Sequence, residues 1–271
     1  MKSWSLYTGL FALAVTFAGP IGCAAETADD AEDSAEDDLT AGASKSKLLG
    51  SVYAIKVDDT TLGSKAKVAG ILSAMDLGAR DAIPEIATAV PRCMFSHPIS
   101  FIGAKGKLLA SGGFMCGAQQ TTGTVTAYVY VGAKVYTMKA DLGGVFKQVN
   151  KPTQAGDLLY GITGVSISKP GMGTNSSAFA EESELVTGIL GAVGQAVTPV
   201  DPNAPQPRCM PARVITFYRG DKEAGTLTSM CSASTGVSSG NLIAPDDSKV
   251  GKVSLDHGKL GKVEAKLRWS R

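Results

Sequence analysis

Gly236-Val237-Ser238-Ser239-Gly240 spells Gly-x-Ser-x-Gly, and an acid and a histidine, Asp256 and His257, follow it in that order. In acyl-transfer chemistry that pattern holds a nucleophilic serine on a strained turn, with the histidine as general base and the acid orienting it. The turn needs a strand before the serine, a helix after it and further strand–helix units before the histidine. Only 31 residues follow Gly240, which leaves no room for them. No catalytic residue is assigned from the sequence.

Other chemistry-bearing residues reduce to structure. Arg219-Gly220-Asp221 spells an adhesion tripeptide, yet a glycine and an aspartate are also what a hairpin turn calls for. Cys93, Cys116, Cys209 and Cys231 lie more than twenty residues apart within each pair. They lack the close pairs of structural zinc and form no Cys-x-x-Cys, so disulfides are expected and no metal or cofactor. His97, just before Pro98, reads as structural, and the Gly-Met-Gly of residues 169–177 reads as a flexible loop without the Lys-Ser/Thr of a phosphate loop.

The elements that carry these residues come twice. Pro91-Arg92-Cys93-Met94 returns as Pro207-Arg208-Cys209-Met210, each followed by Ile-x-Phe (Ile99 and Phe101; Ile215 and Phe217) and by Met-Cys (Met115-Cys116; Met230-Cys231). Val68-Ala69-Gly70-Ile71-Leu72 is echoed by Val186-Thr187-Gly188-Ile189-Leu190, and Asp141-Leu142-Gly143 by Asp256-His257-Gly258. The order is kept at offsets of 115 to 118 residues, which points to a duplicated module. In each copy a strand is expected first (Ser51–Val57; Leu158–Ser168), then a helix (Lys65–Met75; Glu181–Val197) whose apolar residues recur at helical spacing. Residues 82–89 suit a short helical turn, and Pro199, Pro202, Pro205 and Pro207 an extended connector.

The cysteines of each copy then bracket a hairpin. The midpoint of Cys93 and Cys116 falls in Gly103-Ala104-Lys105-Gly106, and that of Cys209 and Cys231 on Gly220. Antiparallel pairing about those turns brings Cys93 to Cys116 and Cys209 to Cys231. Thr124–Val131 alternates as a strand, Gly132-Ala133 turns, and Lys134–Ala140 returns. The second copy offers Asn241–Ala244, Lys252–Leu255 and Lys262–Trp269. The expected fold class is α+β, mostly antiparallel sheet with one main helix and one disulfide-bridged hairpin per copy. Module 1 spans 45–153 and module 2 spans 154–271, the two sharing one core.

The N-terminal residues have a different character. Lys2 precedes an apolar run, Leu6–Ala18, closed by Pro20-Ile21-Gly22-Cys23, an export signal too short to span a bilayer. Cys23 is the odd cysteine of five and needs a partner or a modification. From Cys23 to Ser44 there are eight acidic residues and no basic one, so residues 23–44 read as a solvated tether after a signal peptide of 1–22. The leader, Gly22-Cys23 and the acidic spacer resemble exported bacterial lipoproteins of myxobacterial type. The resemblance covers residues 1–44 and implies lipidation of Cys23. With Ala24 after that cysteine, it implies the outer membrane; ordinary cleavage after Ala24 or Ala25 and secretion is the alternative.

From Lys45 onward, 25 basic residues stand against 17 acidic ones, a net charge of +8. Much of it lies at the end, where Lys259, Lys262, Lys266 and Arg268 are expected on the solvated face of strands. Such charge favours anionic lipid, polysaccharide or acidic protein; nucleic acid is not expected. The function expected is a lipid-anchored, non-enzymatic binding or structural role. A secreted enzyme acting on envelope polymer and an inhibitor or toxin-neutralising module are the other classes. A cleft gathering Asp and Glu between the modules would favour the enzyme, a solid interface the binder.

Overall fold

The computed structural model describes residues 44–77, 84–88, 94–116, 120–170, 176–200, 210–229, 236–245 and 249–270. β1 (Ser44–Ser46) and β2 (Gly50–Val52) form a small antiparallel pair. The first half continues with β3 (Ala54–Val57), β4 (Thr60–Leu62) and helix α1 (Lys65–Ala74). The short β5 (Glu85–Ile86), then β6 (Phe95–Ile102), β7 (Leu108–Cys116), β8 (Thr124–Val131), β9 (Lys134–Asp141) and α2 (Leu142–Val149) complete it. Its strands lie in the order β4-β3-β6-β7-β8-β9-β5, all antiparallel.

The one-turn α3 (Ala155–Leu158) opens the second half. β10 (Gly164–Lys169), β11 (Ser176–Ala180), α4 (Ser183–Leu190), β12 (Arg213–Arg219) and β13 (Lys222–Ser229) follow. β14 (Val237–Ile243), β15 (Lys249–Asp256), α5 (His257–Glu264) and β16 (Trp269–Ser270) end it. The sheet order is β15-β14-β13-β12-β10-β11-β16. Apart from the short β5 and β16, both sheets have one connectivity: the opening strand lies between the second and third, and the rest follow as a meander. The described residues form mostly antiparallel sheet with a few helices, an arrangement consistent with the expected α+β class.

The sequence echoes acquire physical reasons here. Asp141 and Asp256 are helix N-caps whose carboxylates accept from the backbone N–H of Gly143 and of Gly258 and Lys259. Each such cap is worth about 1 kcal/mol. Gly70 and Gly188 are where helices touch: a Cβ at Gly70 would lie 2.7 Å from the Gln148 side chain on α2, and one at Gly188 2.7 Å from Val263 on α5. Each half therefore carries a second helix, α2 or α5, that the expectation of one main helix per copy omits.

Other expectations also shift. The strand expected over 158–168 starts only at Gly164, because 155–158 is helical. The helix expected to Val197 stops at Leu190, after which Val193 and Thr198 pair with Leu255 and Lys252. Residues 85–86 pair with β9 instead of turning helically. The strand expected over 262–269 is largely α5 and the turn after it. Its polar–apolar alternation mimics a strand, but the buried Leu260, Glu264 and Leu267 recur at i, i+4, i+7, the helical period. Among the described residues the buried apolar side chains form two clusters, one per sheet: Leu49 to Phe146 and Ala155 to Leu267.

Candidate functional site

Ser238 and His257 do meet. Val237 pairs with Asp256 across β14 and β15, and Gly236, at φ +75°, accepts the His257 backbone N–H at 2.9 Å. That fixes the imidazole so that Nε2 lies 2.6 Å from Ser238 Oγ, while Nδ1 lies 3.1 Å from Arg213 Nη1. A guanidinium can only donate, so Nδ1 is an acceptor and the ring proton sits on Nε2. Nε2–H then donates to Ser238 Oγ. A serine nucleophile needs the opposite polarity, with Nε2 taking the hydroxyl proton. Burial, and secondarily the Arg213 charge, push the His257 pKa below its ordinary value and keep the ring neutral.

The neighbours complete a structural network. Asp256, the acid of the sequence pattern, spends its carboxylate on the α5 cap, and the Lys259 N–H chiefly holds its pKa below the usual range. Arg213 donates from Nε and Nη2 to Glu264, which Lys169 also contacts at 2.9 Å. Burial pushes the Glu264 carboxyl up, but the hydrogen bonds from Arg213 and Lys169 outweigh it and hold the pKa below its ordinary value. Lys169 lies 4.0 Å from the Trp269 ring centroid, and Trp269 Nε1 donates to the Glu264 carbonyl. Ser238 itself sits within a strand that continues to Ile243, so the strand-to-helix turn is missing. The network clamps α5 to its sheet.

The two hairpin tips lie at the junction of the halves. Gly220, at φ +62°, is the first residue of a two-residue turn between Arg219 and Lys222. Arg219 donates to the carbonyls of Tyr160 and Leu158 at 2.9 Å each and lies 3.7 Å over the Tyr160 ring. Burial lowers its pKa from the free value. A Cβ on Gly106 of the other tip would stand 3.4 Å from Arg219 Cδ. The arginine of the adhesion-like tripeptide is thus an internal tie.

Deeper in the junction lies the carboxylate of Asp157. Its Oδ1 accepts from the backbone N–H of Gly63 and Ser64 at 2.9 and 3.1 Å. Its Oδ2 accepts from the Gln154 N–H and from Lys67 Nζ, which also donates to the Pro152 carbonyl. Both oxygens are consumed, and a Cβ on Gly63 would lie 2.6 Å from the Gly156 carbonyl, so the backbones are in contact. No motif or spacing marks this pair in the sequence; a lysine among the apolar positions of α1 is its one signal.

Cys23, Cys93, Cys209 and Cys231 lie outside the described residues. Cys116 ends β7 opposite Phe95. The register is two residues away from the midpoint count, and bulges at Phe101/Ile102 and Phe217/Tyr218 interrupt both hairpins. His97 Nδ1 lies 2.9 Å from Asp58, and its ring packs edge-on to Phe146. Lys259 and Lys262 lie on α5, with Lys266 and Arg268 just beyond it, not on strands; Lys266 contacts Glu184 at 3.0 Å. No group of three or more potential metal-ligating side chains occurs among the described residues. Comparison with family models, curated proteins and solved structures found no match.

Proposed function

We propose that this is a lipid-anchored envelope protein with a non-enzymatic binding role, held to a bacterial outer membrane through Cys23 and presenting its folded part on the acidic tether. We also read the two halves as copies of one duplicated module, a reading supported by their common strand order and by the echoed caps and helix-contact glycines. The observation that carries the binding reading is the junction. Asp157 is engaged there by three backbone N–H groups and by Lys67, and Arg219 holds its own hairpin tip to the carbonyls of Leu158 and Tyr160. A cleft for polymer hydrolysis would need carboxylates free to exchange protons, whereas the Asp157 carboxylate at this junction has both oxygens engaged. The direction of the Ser238–His257 hydrogen bond points the same way.

The test has two arms. The full-length chain treated with a fluorophosphonate probe should remain unlabelled, and capture of the anchored protein from its native envelope should recover a retained component. Labelling of Ser238 that is abolished by His257→Ala would overturn the reading in favour of a hydrolase.

A further inference from the structure

On the first sheet Ile99, Phe101, Phe114, Ala127 and Val129 point into the core. Their neighbours on the same strands, Ser100, Ser111, Gly113, Tyr128 and Tyr130, therefore face outward. Cross-strand pairing sets these in two rows: Lys56, Ser100, Ser111 and Tyr130 in one, Pro98, Gly113, Tyr128 and Thr137 in the next. Phe95 folds over Gly113, where a Cβ would lie 2.4 Å from its ring. Its centroid is 6.3 Å from those of both Tyr128 and Tyr130, nearly parallel to the first and edge-on to the second. Three half-buried rings thus stand on an outward sheet face, beside the exposed Ser111 and away from the apolar core.

β6, β7 and β8 contain no Asp or Glu, and β9 has one, Asp141, spent on a helix cap, while the edge strand β5 sets the exposed Glu85 opposite Thr137 in the Tyr128 row. Lys139 is exposed on the same side, and Lys56 is half-exposed with Asp59 3.7 Å away. At the β9 edge of the sheet a cavity of about 340 Å³ is lined by Thr126, Thr137 and Lys139 together with Asp76, Glu85 and the buried Met138, and Thr137 is the cross-strand partner of Tyr128. Aromatic faces accept the C–H faces of sugar rings, Ser and Thr hydroxyls meet sugar hydroxyls, and lysines meet acidic substituents. The two carboxylates of the cavity wall can accept further sugar hydroxyls.

We propose that this face is a binding site for an acidic polysaccharide chain, its rings laid on Phe95, Tyr128 and Tyr130 and its acidic groups toward Lys56 and Lys139. The site rests on the binding role above and gives that role a ligand class. Occupancy by a sugar chain explains why the aromatic rings are flanked by hydroxyls instead of further apolar residues, and the net charge of +8 from Lys45 onward suits an acidic polymer over a neutral one. The second sheet has a smaller counterpart: Phe179, 54% exposed, and Tyr218 meet at 5.8 Å over Gly164, beside the Ser166–Thr216–Thr226 row.

Affinity electrophoresis of the full-length chain through gels containing alginate, an acidic polysaccharide, or neutral dextran tests the site. Alginate should retard the chain and dextran should not. Tyr128→Ala/Tyr130→Ala should weaken retention at least about tenfold. Ser111→Glu, which sets a negative charge at an exposed position in the ring-bearing row, should do the same with an unchanged melting temperature. The proposal is overturned if both folded variants run like the parent, or if dextran retards the chain as strongly as alginate. Retention that survives these variants would remove this site and leave the binding role standing, whereas labelling of Ser238 would remove the role itself.

Discussion

Lys67 and Asp157 meet across the junction with side chains 2% and 3% exposed, one from the first helix of the first half and one from the helical turn that opens the second. Breaking a buried pair by removing one partner leaves an uncompensated charge, which costs about 3–5 kcal/mol. Asp157→Ala should lose about that much, because Lys67 and three backbone N–H groups lose their acceptor together. Asp157→Asn should lose less, since one oxygen remains. Urea unfolding followed by tyrosine fluorescence and by far-UV circular dichroism measures both. An alanine variant within about 1 kcal/mol of the parent would show that the junction is not a stabilising tie.

Acid should unfold the second half through His257. Its folded pKa lies below the ordinary value, so on acidification the unfolded chain takes the proton first. Stability is therefore full above about pH 6.5, the unfolded value, and falls as pH drops toward the folded value. Glu264, also lowered, adds a loss that begins in the carboxylate range. His257→Leu places at this point the residue that follows the corresponding cap in the first half, Leu142, and should flatten the stability curve between about pH 7 and pH 5. Thermal melts across that range decide it; a variant with the parent's slope would remove His257 as the cause.

The repeats were legible as words before their meaning was. Asp-x-Gly recurs because it caps a helix, yet Lys262 to Leu267 alternates polar and apolar residues and so spells a strand where the Asp256 cap starts a helix. The hairpin turns at Ala104–Gly106 and Gly220 fell where the cysteine midpoints put them, but bulges are set by twist and packing, which the count does not contain. Tyr128 and Tyr130 were seen to share a face; that Phe95 joins them over Gly113 depends on a cross-strand register no local pattern specifies. The Gly-x-Ser-x-Gly spelling names Ser238 and His257 but gives no reason for them to touch; their contact comes from the β14–β15 pairing, and its direction is set by Arg213, twenty-five residues upstream of the serine and across the sheet.

The cysteines are expected to pair within hairpins, Cys93 with Cys116 and Cys209 with Cys231. Peptide mapping without reduction should recover these two linkages among the three pairings that four cysteines allow. Reduction should then cost about 3 kcal/mol for each loop of just over twenty residues, on the chain-entropy view. A peptide joining Cys93 to Cys209 would contradict the hairpin pairing.

Membrane-extracted protein should begin at Cys23 and carry a diacyl or triacyl mass increment, because that cysteine is the odd one of five and follows the apolar leader. Intact-mass spectrometry reads this directly. A soluble product beginning at Ala25 or Glu26 would replace the anchor with secretion.

Lys259, Lys262 and Lys266 follow one another at i, i+3 and i+7 along α5 and its end, which places them together on the side opposite the buried Leu260, Glu264 and Leu267. Lys266 has an exposed partner in Glu184, a contact worth little in water. This cationic ridge should draw the chain to anionic vesicles by forces that fade beyond about 10 Å at 0.1 M salt. The eight acidic residues between Cys23 and Ser44 are expected to oppose that attraction. Changing those eight to Asn and Gln should therefore strengthen vesicle retention at low salt, while Lys259→Gln/Lys262→Gln/Lys266→Gln should weaken it, and both differences should shrink as salt rises. Sedimentation with vesicles containing acidic phospholipid, at low and moderate salt, gives the comparison. If the triple variant sediments like the parent at low salt, the ridge is only a solvated helix face, and the charge that matters lies elsewhere on the molecule.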